Sequence, residues 1–150
     1  MASVHDAAII ARQRVAMFLD MGSISSGDSE LLRSVSEPWL AKHLAEGSYL
    51  GWLAVREGTV VAGGGVFIRE LGPVPGCLRI GRWAHIANIY TAPAHRRRGL
   101  ARQIMETILH WCKSSAIDQI TLTASKDGEL LYQKLGFIPT SDMRLGPSGI

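Results

Sequence analysis

The stretch from Tyr49 to Ile68 does most to limit what this chain can fold into. Two apolar runs, Tyr49 to Val55 and Thr59 to Ile68, are separated only by Arg56-Glu57-Gly58, a spacing that reads as a hairpin. One antiparallel pair is thereby set in the middle of the sequence. Gly63, Gly64 and Gly65 lie inside its second strand, where glycine supplies no packing, so they predict a bend or a close backbone approach. The connection from Glu70 to Gly81, with Pro73 and Pro75, is long for a hairpin and has the make-up of a functional loop.

Before the hairpin the apolar pattern is helical. Ala8, Ala11, Val15, Phe18 and Leu19 recur at three- and four-residue steps, predicting a helix from Asp6 to Met21 that stops at Gly22. A loop-like Gly22 to Ser29 follows, then a second helical region from Glu30 to Ala45, with Gly47 as its stop and Pro38 opening a new segment capped by Ser36. After the hairpin a strand from Trp83 to Thr91 halts at Ala92-Pro93, and a helix from Gly99 to Ser114 buries Leu100, Ile104, Ile108 and Cys112. The alternation Ile120, Leu122, Ala124 predicts another strand. Asp127 to Leu135 predicts a short helix ended by Gly136, and Phe137-Ile138 with Met143-Arg144-Leu145 the closing strands. A hairpin followed by alternating strands and helices implies an α/β (α+β) mixed sheet covered by helices, and 150 residues suit one domain, 1–150.

Composition excludes several classes. A content of 47% hydrophobic and 19% charged residues belongs to a folded protein. The net charge of +3 is too mild to argue for nucleic acid, and no apolar run reaches membrane-spanning length, so neither nucleic acid nor membrane is an expected partner. The first twenty residues lack a signal-peptide pattern, and two cysteines are too few for a disulfide framework; the expectation is a cytoplasmic protein. No His/Cys cluster has metal-ligand spacing, so no metal is expected.

The positive charge is concentrated in Arg96-Arg97-Arg98, directly before Gly99-Leu100-Ala101. A helix beginning there presents unpaired N–H groups and the positive end of its dipole, and Gly99 lets a phosphate approach the main chain. The arginines add charge-assisted hydrogen bonds, though not all three can face one ligand. A diphosphate suits such a site. A merely solvated basic loop is the plain alternative.

The longer segment Asn88-Ile89-Tyr90-Thr91-Ala92-Pro93-Ala94-His95-Arg96-Arg97-Arg98-Gly99-Leu100-Ala101 resembles the central acyl-CoA motif of the GNAT superfamily of N-acetyltransferases, with core Arg/Gln-x-x-Gly-x-Gly/Ala. Arg96, Gly99 and Ala101 stand at its fixed places. Leu131-Tyr132-Gln133-Lys134-Leu135-Gly136-Phe137 is similar to the second family signature, at the expected distance downstream. The resemblance implies a mixed, mostly antiparallel sheet with helices on both faces and parallel strands splayed at the cofactor site. It implies acetyl-CoA as acyl donor, its pantetheine paired with Ile89, Tyr90 and Thr91 and its diphosphate on the amides of Arg97, Arg98, Gly99, Leu100 and Ala101. It implies further that Tyr132 protonates the departing thiolate, a role a phenol within hydrogen-bond reach can fill.

The acceptor is expected to be a primary amine on a small molecule or a peptide. Such an amine is mostly protonated at neutral pH, with a lysine-like pKa of about 10.4, so a base must take its proton. His85 is the candidate base on the strand entering the site; Asn88 cannot act as a base but can orient a water or the thioester. Where many family members carry an asparagine for the pantetheine, seven residues before the tyrosine, this chain has Ser125, whose hydroxyl makes one such bond at most. Only Met1 to His5 precede the first helix, so the family's first strand is short, absent, truncated or supplied by a partner, which leaves a homodimer open. Trp39, Trp52, Trp83 and Trp111 read as core or helix–sheet contacts, and Cys112 as part of a buried stripe. The leading expectation is direct acetyl transfer in a ternary complex. A non-catalytic acyl-CoA-binding module is the alternative, and nucleic-acid binding through the three arginines a third.

Overall fold

In a computed structural model, residues 1–143 and 145 are described. A 3-10 turn at Val4–Asp6 leads into α1 (Ala7–Asp20), and another at Ser26–Asp28 into α2 (Ser29–Glu46). Then come β1 (Tyr49–Arg56), β2 (Thr59–Leu71), β3 (Gly81–Thr91), α3 (Leu100–Ser114), β4 (Gln119–Leu122) and α4 (Glu129–Lys134). The strands form one sheet in the order β1-β2-β3-β4, antiparallel except for the parallel β3–β4 pair. Ile104, Met105, Ile108 and Cys112 of α3 pack with Val66, Ala84 and Ile86 on one face. Ile10 and Ala11 of α1 and Leu40 of α2 pack around Tyr49 on the other. The mixed sheet with helices on both faces is thus the architecture read from the sequence.

Four details depart from that reading. Pro38 opens no new helix: α2 runs through it without a break, and Ser36 is buried within the helix instead of capping one. A proline ring removes a single backbone donor, and packing of fully buried Leu40 against α1 keeps the helix whole. Leu100 is only half-buried, and Met105 takes its place in the stripe. Steps of four residues drift by roughly 40° each around a helix of 3.6 residues per turn, which carries Leu100 off the core face. The connection between β2 and β3 is shorter than Glu70 to Gly81, because Glu70 and Leu71 still pair with Arg82 and Gly81.

The fourth departure concerns the end of the chain. β4 stops at Leu122, short of Ala124, and no strand follows α4 among the described residues. Gly136 turns the chain at φ +93°, the Phe137 amide donates to the Tyr132 carbonyl, and the Phe137 ring settles 6.3 Å from that of Tyr132. Ile138 is 80% exposed, and among the described residues no strand lies beside Phe137-Ile138 to pair with it. Met143 and Leu145 are likewise outside any strand, and Arg144 lies outside the described residues. At the other end residues 1–3 form no strand, although the Ala2 amide donates to the Gly51 carbonyl of β1 at 2.7 Å.

The three central glycines do not end β2, which runs through them. They allow neighbours to come close: a Cβ on Gly65 would strike the Tyr49 ring and the Leu50 carbonyl, one on Gly64 Ile89 and Ile104, one on Gly63 Gln13. Close approach, the second of the two readings, is what β2 requires.

Candidate functional site

The irregularity opposite those glycines shapes the site. Gly63 to Gly65 on β2 spans Ala87 to Tyr90 on β3, so β3 carries one extra residue there, a β-bulge. Asn88 sits in it at φ +59°, a left-handed conformation that asparagine tolerates better than most side chains. Only 3% exposed, its Oδ1 accepts a hydrogen bond from Arg14 Nη1 at 2.7 Å and its Nδ2 donates to the Tyr49 hydroxyl at 3.1 Å. Burial pushes the Tyr49 phenol up to about 12, so it stays neutral in this network.

The bulge lies just past the point where β3 loses β4. Their pairing ends at Ile86 and Leu122, while β3 continues to Thr91. From Ala87 onward β3 has no strand neighbour on that side among the described residues, and two parallel strands part there. Crevices of this kind, beyond the carboxyl ends of parallel strands, are where α/β sheets bind ligands.

β3 leads directly into the arginine loop. Arg96 is committed to structure: its Nε donates to the Thr91 carbonyl at 2.9 Å, it pairs with Asp20 at the end of α1, and it lies 5.9 Å over the Tyr90 ring. Arg97 and Arg98 are exposed and form no side-chain hydrogen bond or ion pair among the described residues. Arg97 at φ +59° and Gly99 at φ +79° bracket Arg98, and such reversals turn successive N–H groups into a concavity suited to anions. Gly99 has no neighbour within 4 Å of a would-be Cβ, so glycine is needed there for its conformation, not for space. Among the described residues no side chain caps α3, and the amides of Leu100, Ala101 and Arg102 find no acceptor. Thr91 Oγ1 and His95 Nδ1 are buried nearby without partners among the described residues.

Tyr132 and His85 stand on opposite faces of the sheet. Tyr132, 8% exposed, belongs to the core on the α3 side, with its ring against Gly128 and Phe137. Its hydroxyl bonds to no described residue, and burial raises its pKa, which keeps the phenol protonated. Ala84 and Ile86 face α3, so His85 between them faces α1 and α2. Its Nδ1 meets Thr121 Oγ1 at 2.9 Å, and the same oxygen accepts from Trp83 Nε1 at 2.7 Å. Burial, and then the charge of Arg69, lowers the His85 pKa, leaving a neutral imidazole able to accept a proton at pH 7. Ser125 is occupied locally: its Oγ accepts from the Gly128 amide at 3.2 Å, in the turn that starts α4.

Arg14, Tyr49 and Thr121, which hold Asn88 and His85, escaped the sequence reading. Arg14 and Asn88 are 74 residues apart, and no local pattern joins them. Trp52 and Trp111 pack together at 5.8 Å beside the α3 core, whereas Trp39 is 39% exposed. Cys77 and Cys112 are both unpaired thiols. Among the described residues no group of His, Cys, Asp and Glu is placed to hold a metal ion, and no helix is long and apolar enough to cross a membrane. Two shallow grooves along α1 and α2, one at Val15 and Arg33, the other at His5 and Pro38, include none of the site residues.

Comparison with known proteins bears on this geometry. The acetyltransferase (GNAT) family matches residues 18–137. A GCN5-related N-acetyltransferase from Ralstonia eutropha JMP134 is similar at 29% identity and a TM-score of 0.90, over 99% of this chain and 96% of that one. A predicted acetyltransferase with acetyl-CoA from Clostridium acetobutylicum shares the fold at 24% identity and a TM-score of 0.84, over 97% and 92%. Glucosamine-6-phosphate N-acetyltransferase from Arabidopsis thaliana does so at 19% identity and 0.64, over 91% and 92%. No curated protein matches the sequence.

Proposed function

The chain belongs to the acetyltransferase (GNAT) family, and we propose that it moves an acetyl group from acetyl-CoA to a primary amine by direct attack in a ternary complex. One observation carries the reading: the free edge of β3 after Ile86 runs straight into the uncapped start of α3. An extended pantetheine has unpaired backbone to bond at Ile89, Tyr90 and Thr91. A diphosphate at the far end meets the amides of Arg97 to Ala101, with the Arg97 and Arg98 side chains adding charge. Arg96 braces the loop against α1 through the Thr91 carbonyl and Asp20. With Arg96 so engaged, the basic run shrinks to two side chains, which argues against nucleic acid.

The thioester then lies near Asn88, between the two faces of the sheet. His85, neutral at pH 7, accepts the proton of the incoming ammonium, and Thr121 fixes its ring. The amine attacks the carbonyl carbon, its nitrogen gives up a second proton to water, the C–S bond breaks, and Tyr132 gives its proton to the departing thiolate and regains one from solvent. Asn88 acts mainly by holding the bulge, with one Nδ2 hydrogen left to orient the thioester or a water. Ser125 keeps hydrogen-bonding capacity for the pantetheine beyond the bond from Gly128. Cytoplasm, where acetyl-CoA is at hand, is the compartment this chemistry suits.

Acetyl-CoA turnover, read as thiol release across polyamines, amino acids, aminoglycosides and peptide N-termini, tests the reading. At least one class is expected to release thiol, and Tyr132→Phe to lower kcat by roughly 10²–10⁴, the usual worth of acid–base catalysis. Binding of acetyl-CoA with no release for any amine would favour the non-catalytic module, and an unchanged rate in the Tyr132 variant would remove its role.

A further inference from the structure

The sheet face that carries His85 also gathers two arginines without a carboxylate partner. Arg14 reaches from α1 to Asn88, with its guanidinium 4.9 Å from the Phe18 ring centre and 5.5 Å from that of Trp39. Its Nε is buried with no hydrogen-bond acceptor among the described residues. Arg69 on β2 lies 5.6 Å over Trp83. Cross-strand pairing of Phe67 with His85 and of Arg69 with Trp83 puts all four on one face, and Trp39 extends the aromatic floor by meeting Phe67 at 5.1 Å. The ion pairs of the described residues all lie elsewhere: Arg33 with Glu30 and Glu37, Lys42 with Glu46, Arg79 with Asp118, Arg96 with Asp20, Arg102 with Glu106.

This pattern discriminates among amines. A site for a cationic body, such as a polyamine or a basic peptide, places carboxylates where the charges of the substrate fall; this face presents fixed positive charge instead. A guanidinium flanked by aromatic rings, bonded to one amide oxygen and lacking a counter-ion is only partly compensated for its lost hydration, and a carboxylate docking on its remaining donors supplies the rest. Arg14 is also one hydrogen bond from Asn88, the bulge residue at the parting of β3 and β4. In a small amino acid the carboxylate and the amine are only a few bonds apart, so anchoring the first on Arg14 presents the second to the parting.

We propose that the acceptor is an amine carrying a carboxylate on an apolar or aromatic body, an amino-acid-like molecule whose carboxylate docks on Arg14 while Arg69 adds attraction across the aromatic floor. This rests on the acetyltransferase reading above. Its test compares kcat/KM for thiol release with L-phenylalanine, L-phenylalaninamide and 2-phenylethylamine, the matched leucine series, and spermidine. The acids are expected to exceed their amides by about tenfold or more, a difference of roughly 1.4 kcal/mol. That ratio is expected to collapse in Arg14→Gln and to shrink in Arg69→Gln; read within one variant, it does not depend on how much of the variant is folded. Arg69 is exposed, so its variant keeps the test open if Arg14→Gln does not fold. Amides, simple amines or spermidine performing as well as the acids, or a ratio unmoved in both variants, would overturn the proposal while leaving acetyl transfer standing. Absence of thiol release from every amine would instead sink the acetyltransferase reading, and this inference with it.

Discussion

At the residue scale the site depends on side chains whose protonation is set by burial. His85 is held by Thr121 and shifted downward by desolvation and Arg69, so it is neutral over most of the physiological range. Protonation removes its capacity as a base, so kcat/KM is predicted to fall on the acid side with a midpoint below the ordinary histidine value of about 6.5. Removing the Arg69 charge takes away one of the two causes, and Arg69→Met should move that limb toward higher pH. A pH profile measures both; an acid limb that survives in His85→Gln would assign it to another group. Tyr132 and Gly99 were legible in the sequence as candidates because each belongs to a contiguous motif. The duty of Arg96 was not, because Asp20, which takes up its charge, lies 76 residues away.

At the scale of elements, β2 and β3 shape the site together. The glycine run lets Tyr49 lie flat against β2, and Tyr49 in turn supports Asn88 and the bulge. Gly65→Ala forces a methyl into the Tyr49 ring and the Leu50 carbonyl, an overpacking expected to cost about 1–3 kcal/mol. Gly72→Ala, in open space, is the control and should stay within about 0.5 kcal/mol of the wild type. Urea unfolding of the two variants decides: equal stabilities would mean that Tyr49 does not need the glycine. The hairpin, the α3 helix and its glycine start were legible because turn chemistry and periodicity are local. Pro38 misled because packing of Leu40 outweighs one missing backbone donor. Phe137-Ile138 misled because an apolar pair says nothing about whether a neighbouring strand is there to receive it.

At the scale of the whole molecule, the parting of β3 from β4 joins three regions. The arginine loop lies at one end, Tyr132 faces the α3 core, and His85, Arg14 and Arg69 share the opposite face of the sheet. The fold class followed from the order of elements and the proposed donor end from two motifs; the proposed acceptor face is assembled from α1, β2, β3 and β4, and only folding brings it together. The central claim is that the free edge of β3 and the start of α3 hold an acyl-CoA. It is tested most directly by following backbone amide resonances while coenzyme A is titrated into the protein. The largest shifts are predicted at Arg97 to Ala101 and at Ile89 to Thr91. Shifts confined to α1 and α2, or none at all at saturating coenzyme A, would contradict it.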